Sequence, residues 1–318
     1  MSDPRKYTVG WISPSGVARR DSNSYALGRI GRHNVVIAAL PSGSYGLVAA
    51  AVAARDMLHS FPNVRLGLLV GTGGGAPGPG RDVRLGDVVV GIPGDGRGGV
   101  FQYDYGKAVQ DQPFRVTAFL NRPPTALLTA VTQLRATHEL RGHRLADDVN
   151  EALGRIRDRH KYMRPPPESD RLYRSDVVHP ARSADGCGVA CGTDEARLVA
   201  RRRRDGEEED DPAIHYGLVA SGNRLVMDAL FRDRLADEHG VLCFEMEAAG
   251  LMNHFPCLVI RGISNYADSH KNDEWQGYAA MTAAAYAKDL LSHVPVRRVE
   301  AEERVVDEVG SKESRARA

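Results

Sequence analysis

Two hydrophobic rhythms alternate along the chain. Over residues 44–61 apolar side chains recur every third or fourth position in an Ala-rich stretch, the spacing of a helix with one buried face. Residues 66–70 are almost continuously apolar and run into glycines, as a strand buried on both faces does. A short strand is predicted over 7–12. A hairpin is predicted from 24–30 and 34–40, turning near Gly31-Arg32-His33. Further strands are expected over 87–92, 214–220 and 257–264. Helices are expected over 123–137, opened by Pro123 and Pro124, and over 146–160, 223–238, 247–254 and 273–292. This alternation predicts an α/β domain with a largely buried sheet.

Two stretches break the pattern. Arg164-Pro165-Pro166-Pro167 stops a helix, and the polar segment that follows has little apolar periodicity. It is expected to be an irregular, partly ordered insertion at about 165–211. Its Arg-rich run at 201–204, followed by acids at 207–211, reads as a solvated loop. The domain is thus expected to occupy 1–294, with a charged, disordered tail over 295–318.

Composition narrows the partners. The 318 residues are 42% hydrophobic with a net charge of +1, which gives no pull toward nucleic acid or membrane. No apolar run is long enough to span a bilayer, and residues 1–6 lack a signal core. Four cysteines do not make a disulfide framework in a chain of this length, so an intracellular setting, cytoplasmic or nuclear, is expected.

Several clusters carry chemistry. In Val70-Gly71-Thr72-Gly73-Gly74-Gly75-Ala76-Pro77, four glycines after a buried strand let backbone approach a phosphate or the face of a base. No Gly-Lys-Ser/Thr follows, so this is not a Walker loop, and a plain tight loop fits equally well. Ser42, Gly43 and Ser44 lie before a helix start, where free N–H groups attract an anion or a water; ordinary capping by Ser44 is the simpler reading. Glu245 and Glu247 bracket Met246 at a predicted helix start. A carboxylate there grips vicinal hydroxyls, or merely favours the helix dipole. Arg261, Asn265 and Asp268 flank the end of the last strand, where ligands of open α/β sheets gather and where turn-formers are also common. Cys187, Cys191, His179 and His215 offer zinc ligands at loose spacing, and no metal is expected from them.

In order, Gly71-Thr72-Gly73-Gly74-Gly75, Arg84-Leu85-Gly86-Asp87-Val88-Val89, Ser221-Gly222-Asn223, Phe244-Glu245-Met246-Glu247-Ala248-Ala249 and Arg261-Gly262-Ile263-Ser264-Asn265-Tyr266-Ala267-Asp268 form a specific set. By these motifs the chain resembles the nucleoside phosphorylase/nucleosidase superfamily, which includes purine and uridine phosphorylases and methylthioadenosine/adenosylhomocysteine nucleosidase. It looks most like the nucleoside-phosphorylase-type domains of filamentous fungi, often joined to nucleotide-binding or repeat domains. The resemblance covers most of 7–292. It implies a three-layer α/β/α fold with a central mixed, partly barrel-like sheet, and cleavage of a ribosyl N-glycosidic bond by a glycosyltransferase or N-ribosyl hydrolase.

Residue by residue, it implies that Met246 and Glu247 hold the ribose, with Glu245 beside them, and that Gly73 and Gly74 line the base. Thr72 would lie near the phosphate or water, together with Ser42, Gly43 and Ser44. Ser264 and Asn265 would address the base edge. Asn265 and Glu247 are the candidate catalytic residues. It implies no cofactor, phosphate as the candidate co-substrate, a small-molecule nucleoside as ligand, and a homo-oligomer or a place in a larger multidomain system.

Two departures bear on catalysis. The family places an Asp, which protonates the purine N7, where this chain has Asn265. It also follows the first strand with a helix bearing a water-activating Glu; here Ser13-Pro14-Ser15-Gly16-Val17-Ala18-Arg19-Arg20-Asp21 is too short for that helix and contains no Glu. The expected function is a purine nucleoside phosphorylase/nucleosidase-type enzyme, with a 6-oxopurine preference set by Asn265. The alternative is a catalytically impaired nucleoside-binding or regulatory domain.

Overall fold

The computed structural model describes residues 9–11, 17–181, 183, 185–202, 204 and 212–307. It opens with β1 (Val9–Trp11), β2 (Tyr25–Ile30) and β3 (His33–Ala38), a three-stranded antiparallel sheet. Then come α1 (Leu47–Ser60), β4 (Gly67–Gly75), β5 (Val88–Gly91) and β6 (Val100–Gln102). A small ribbon, β7 (Gly106–Lys107) and β8 (Arg115–Val116), leads to α2 (Thr125–Arg141) and α3 (Leu145–Leu153). After α4 (Cys187–Ala190) follow β9 (Ile214–Ser221), α5 (Ala229–His239), β10 (Val241–Glu245), α6 (Ala248–Leu251), β11 (Cys257–Asn265), α7 (Gln276–Ser292) and α8 (Val296–Ala301).

The main sheet runs β10-β4-β11-β5-β9-β6, and β10 also pairs with β9. That extra pairing closes five strands into a barrel, because β9 changes neighbours along its length. Its first half pairs with β5 (Val88 opposite Ile214, Gly91 opposite Gly217), and its second half with β10 and β6. Closure leaves those five strands without a free edge. β11 lies parallel to β4 and antiparallel to β5, and every residue of it but Asn265 is buried. Leu258, Val259, Ile260 and Ile263 are wholly inaccessible and join the core under α7, which packs on β11 and β4. The expected α/β architecture with a mixed, barrel-like sheet is what forms.

The glycine cluster is not a loop. β4 continues through Gly71, Gly73, Gly74 and Gly75, paired with β11 on one side and β10 on the other. Glycine is needed because neighbours fill the Cβ positions: one on Gly71 would lie 2.4 Å from Arg261 Nη1, and one on Gly73 2.9 Å from the Phe244 carbonyl. β10 itself is not among the expected strands, since Glu245 reads in sequence as part of a helix start; in the structure Glu245 ends this strand.

Other expectations shift for local reasons. α1 starts at Leu47, with Gly46 rather than Ser44 at the cap position. α5 starts at Ala229, where the Asp228 side chain accepts from Phe231 N (3.0 Å), because Asn223 is engaged elsewhere. α3 stops at Leu153.

The described part of the insertion is packed rather than loose. Tyr173 is 1% exposed and bridges to Leu198. Trp275 Nε1 donates to Ser169 Oγ (2.9 Å). Nor are Arg201 and Arg204 at its end solvated: Arg201 donates to the Tyr266 hydroxyl (2.6 Å), and Arg204 pairs with the buried Asp87 (2.8 Å). Residues 205–211, with the acidic run, lie outside the described residues. The expected tail also folds back as far as it is described: α8 forms, and Val305, 3% exposed, donates its N–H to the Val64 carbonyl (2.9 Å).

Candidate active site

The ends of β4, β10 and β11 meet at one charged cluster. Arg261 sits opposite Gly71 in register, and the missing Cβ there makes room for its guanidinium. Nη2 donates to Oε2 of Glu245 and to Oε2 of Glu247 (3.1 Å), and Nη1 reaches the Thr72 carbonyl (3.3 Å). Burial works against the arginine's charge, but Glu245 and then Glu247 hold its pKa above the ordinary value.

The two glutamates differ in what they have left to offer. Glu245 is 5% exposed and accepts the N–H groups of Glu247 (3.1 Å) and Ala248 (3.0 Å), so it caps α6 as well as neutralising Arg261. Its carboxylate is committed to the protein. Glu247 Oε1 accepts from Gly46 N (3.2 Å), and its Oε2 from Arg261. An ionised carboxylate has about four acceptor positions, which leaves two at Glu247 for a ligand. Met246, beside it, is half-buried.

Gly46 has φ +95°, and a Cβ there would lie 2.9 Å from Asn223 Oδ1. That oxygen accepts from Leu47 N (3.1 Å), while Asn223 N donates to Asp104 Oδ2 (2.7 Å). Ser221 Oγ accepts from Ala249 N (2.9 Å). The Ser221-Gly222-Asn223 motif thus fixes the starts of both α1 and α6 around Glu247. Ser42, Gly43 and Ser44 form an exposed turn closed by Ser44 N to the Pro41 carbonyl (2.9 Å).

Asn265 closes the other end. Its Oδ1 accepts from Ala267 N (2.9 Å), a side-chain turn that fixes which way the amide faces. Its Nδ2 donates to Ser264 Oγ (3.1 Å), which leaves one N–H free. Gly74 lies beneath it: a Cβ there would be 2.8 Å from Asn265 Oδ1. Ala267 takes φ +51°, a left-handed backbone rare outside glycine. Thr72 Oγ1 accepts from Gln276 Nε2 (2.8 Å).

The structure therefore gathers Glu245, Met246, Glu247, Thr72, Gly73, Gly74, Ser264 and Asn265 along adjacent strand ends. The pairing of Arg261 with both glutamates and the contact of Gln276 with Thr72 are not foreseen by the sequence motifs. A glycine facing an arginine across two parallel strands is the available signal, and it becomes visible only once the register is known.

The segment that follows β1 carries no Glu. Residues 12–16 lie outside the described residues, and 17–24 form turns and extended chain. The acid there, Asp21, accepts from Tyr25 and Ser60. Ser60 ends the 14-residue helix whose first turn meets Glu247, so Asp21 sits about 20 Å from it. His215 pairs with Asp87 (2.8 Å), well apart from Cys187 and Cys191 in its bonding. Asp268 lies 3.6 Å from both Arg232 and His270. Among the described residues, no helix is long and apolar enough to cross a membrane.

No protein-family model matches the chain. It is 45% identical over 307 residues to a nucleotide-binding leucine-rich repeat (NLR)-like protein of Hyaloscypha variabilis, covering 91% of this chain and 29% of that protein. Over 90 residues it is 35% identical to ATP nucleosidase Cap17 of Escherichia coli, 26% of this chain and 18% of that protein. Over another 90-residue match it is 30% identical to 5′-methylthioadenosine/S-adenosylhomocysteine nucleosidase of Mycobacterium bovis, 27% of this chain and 35% of that one. The chain thus spans less than a third of the NLR-like relative and less than a fifth of Cap17. Among solved structures, futalosine hydrolase of Helicobacter pylori superposes with a TM-score of 0.52 at 17% identity, covering 89% of this chain and 87% of that one. The 5′-methylthioadenosine/S-adenosylhomocysteine nucleosidase of Neisseria meningitidis, bound to methylthio-immucillin-A, gives 0.50 at 17% identity, with 90% and 89% covered.

Proposed function

The chain has the fold of the nucleoside phosphorylase/nucleosidase superfamily, and from that premise we propose that it binds a purine nucleoside, free or 5′-phosphorylated, and hydrolyses its ribosyl N-glycosidic bond. The observation that carries this is Glu247. Its carboxylate is held from behind by Arg261 and Gly46, with two acceptor positions left for the 2′- and 3′-hydroxyls. Met246 lies against the sugar. The free Asn265 N–H addresses an acceptor on the base edge, either N7 or the O6 of a 6-oxopurine, and the buried Ser264 and Gly74 hold that amide in place.

Hydrolysis is favoured over phosphorolysis by charge. Arg261 already faces two carboxylates and has no charge to spare for a phosphate dianion. A departing purine gains stabilisation from a hydrogen bond at Asn265, but no proton. Cleavage through an oxocarbenium-like state is accordingly slow. The names of the relatives support adenine nucleotides and nucleosides as substrates to test beside 6-oxopurine ones. The 45% match that spans only 29% of the NLR-like protein supports a module within a multidomain protein.

The test is free base released from ATP, adenosine, methylthioadenosine, inosine, guanosine and uridine, with and without phosphate. Release from one or more purines, independent of phosphate, is expected. Absence of release from every substrate would sink the reading.

A second reading, a nucleoside-binding domain without turnover, is motivated by the same Asn265 and by the missing Glu. Calorimetric binding of a nucleoside that the chain never cleaves would establish it. Phosphate-independent turnover would eliminate it.

A further inference from the structure

A second cluster of reactive side chains lies in the insertion and shares no residue with the candidate site. Cys187 opens α4 and Cys191 caps its C-terminal end, one helical turn on, so the two share a face. Their backbone is braced: the Tyr173 hydroxyl reaches the carbonyls of Cys187 and Gly192 (3.0 Å each), and Arg197 donates to the carbonyl of Cys191 (2.7 Å). His179 Nδ1 lies 3.2 Å from Cys191 Sγ and 3.5 Å from Cys187 Sγ. The three ligand atoms all fall within 4.8 Å of one another. A tetrahedral zinc ion, at its usual bond lengths to sulfur and nitrogen, spaces such ligands roughly 3.6 Å apart.

An independent observation points to the same place. His270 is 7% exposed, and neither ring nitrogen has a hydrogen-bond partner. Its ring stacks on Tyr173 (4.0 Å) and stands edge-on to His179 at 6.1 Å, and its carbonyl lies 3.6 Å from Cys187 Sγ. A buried imidazole with two idle nitrogens is costly unless something engages it. Asp268 Oδ2 stands 3.6 Å from Nδ1, placed to hold that nitrogen's proton while Nε2 binds a metal.

We propose that His179, Cys187, Cys191 and His270 form a Zn²⁺ site. Two thiolates and two imidazoles arranged tetrahedrally are a donor set typical of structural zinc. Four protein ligands leave no open position, so the site is structural rather than catalytic. His270 completes the set by a side-chain rotation toward the other three. The ion would staple the insertion to the segment just past Asn265, where the protein already offers one bond, His179 N to Ser269 Oγ (2.9 Å). It would thereby brace the base side of the pocket without touching substrate.

The full chain, purified under reducing conditions without chelator, is expected to carry one zinc by plasma mass spectrometry. Cys187→Ser, Cys191→Ser and His179→Ala should each reduce this to about a tenth or less, and His270→Ala should weaken retention against a chelator about 10–100-fold. Because a variant may lose its metal by misfolding, the unaltered chain is also stripped and titrated with Co²⁺. A thiolate-to-cobalt charge-transfer band with tetrahedral d–d absorption is the expected signature. Full zinc retention in the cysteine variants, or a well-folded chain with neither zinc nor the cobalt band, would overturn the proposal.

Discussion

In the proposed reading the candidate site has a ribose end and a base end, and the two are built from different chemistry. At the ribose end, Glu245, Glu247 and Arg261 form a largely buried ionic triad in which each partner is fixed by a second segment: Gly46 at the cap of α1, Thr72 from β4, Ala248 from α6. At the base end stands one neutral amide in a side-chain turn, with a single N–H to offer. The difference separates grip from chemistry. Holding a sugar requires a fixed carboxylate, and Glu247 is fixed by Gly46 and Arg261. Expelling a purine quickly requires a proton, which an amide cannot give.

Four perturbations probe the two ends against each other and against the rest of the fold. The largest effect is expected from Arg261→Met. It leaves the buried Glu245 carboxylate and the neighbouring Glu247 carboxylate without a cation, and should cost about 3–5 kcal/mol in chemical denaturation while abolishing nucleoside binding. Glu247→Ala comes next. Arg261 keeps Glu245, so the fold survives, but nucleoside affinity in calorimetry should fall by about 3 kcal/mol, roughly 10²-fold. If both variants bound nucleoside normally, the ribose assignment would be wrong.

Acid should strike elsewhere first. Burial alone would raise the Asp87 carboxyl pKa, but hydrogen bonds from His215 and Arg204 hold it below the usual value. A group depressed in the folded state stabilises above its unfolded pKa, about 3.9, and loses that contribution as pH falls through the lower folded value. Melting temperature should therefore drop below about pH 4, and Asp87→Asn should flatten that limb. The smallest effect is at the base end. Ala267→Gly relieves the φ of +51° and should stabilise by about 1 kcal/mol or less, with nucleoside affinity unchanged.

How legible all this is in the sequence depends on the range of the interaction. Local signals hold: the 24–40 hairpin, α1, α2 and the strand at 257–264 follow from spacing and turn residues. β10 escapes notice because Val241–Glu245 is five residues ending in an acid, and that acid is buried only because Arg261 and two backbone N–H groups meet it. The glycines of β4 resemble a loop because nothing in the sequence states that Arg261, Phe244 and Asn265 occupy their Cβ positions. The insertion looks loose because its anchors, such as Arg204 on Asp87 and Trp275 on Ser169, pair residues more than a hundred positions apart. In the pocket, the candidates are legible as motifs. The division of labour between Glu245, a cap and counter-charge, and Glu247, with acceptors to spare, emerges only from the three-dimensional arrangement.

One substitution confronts the central claim directly. Asn265→Asp preserves the turn, since Oδ1 still accepts from Ala267 N, and puts a protonatable oxygen where Nδ2 now stands. Base release from the best purine substrate, measured side by side in both proteins, should rise by about 10²–10⁴-fold, with nucleoside affinity little changed. No rise in rate while the nucleoside still binds, or a fall, would contradict a pocket that kept its grip on the sugar and gave up its acid.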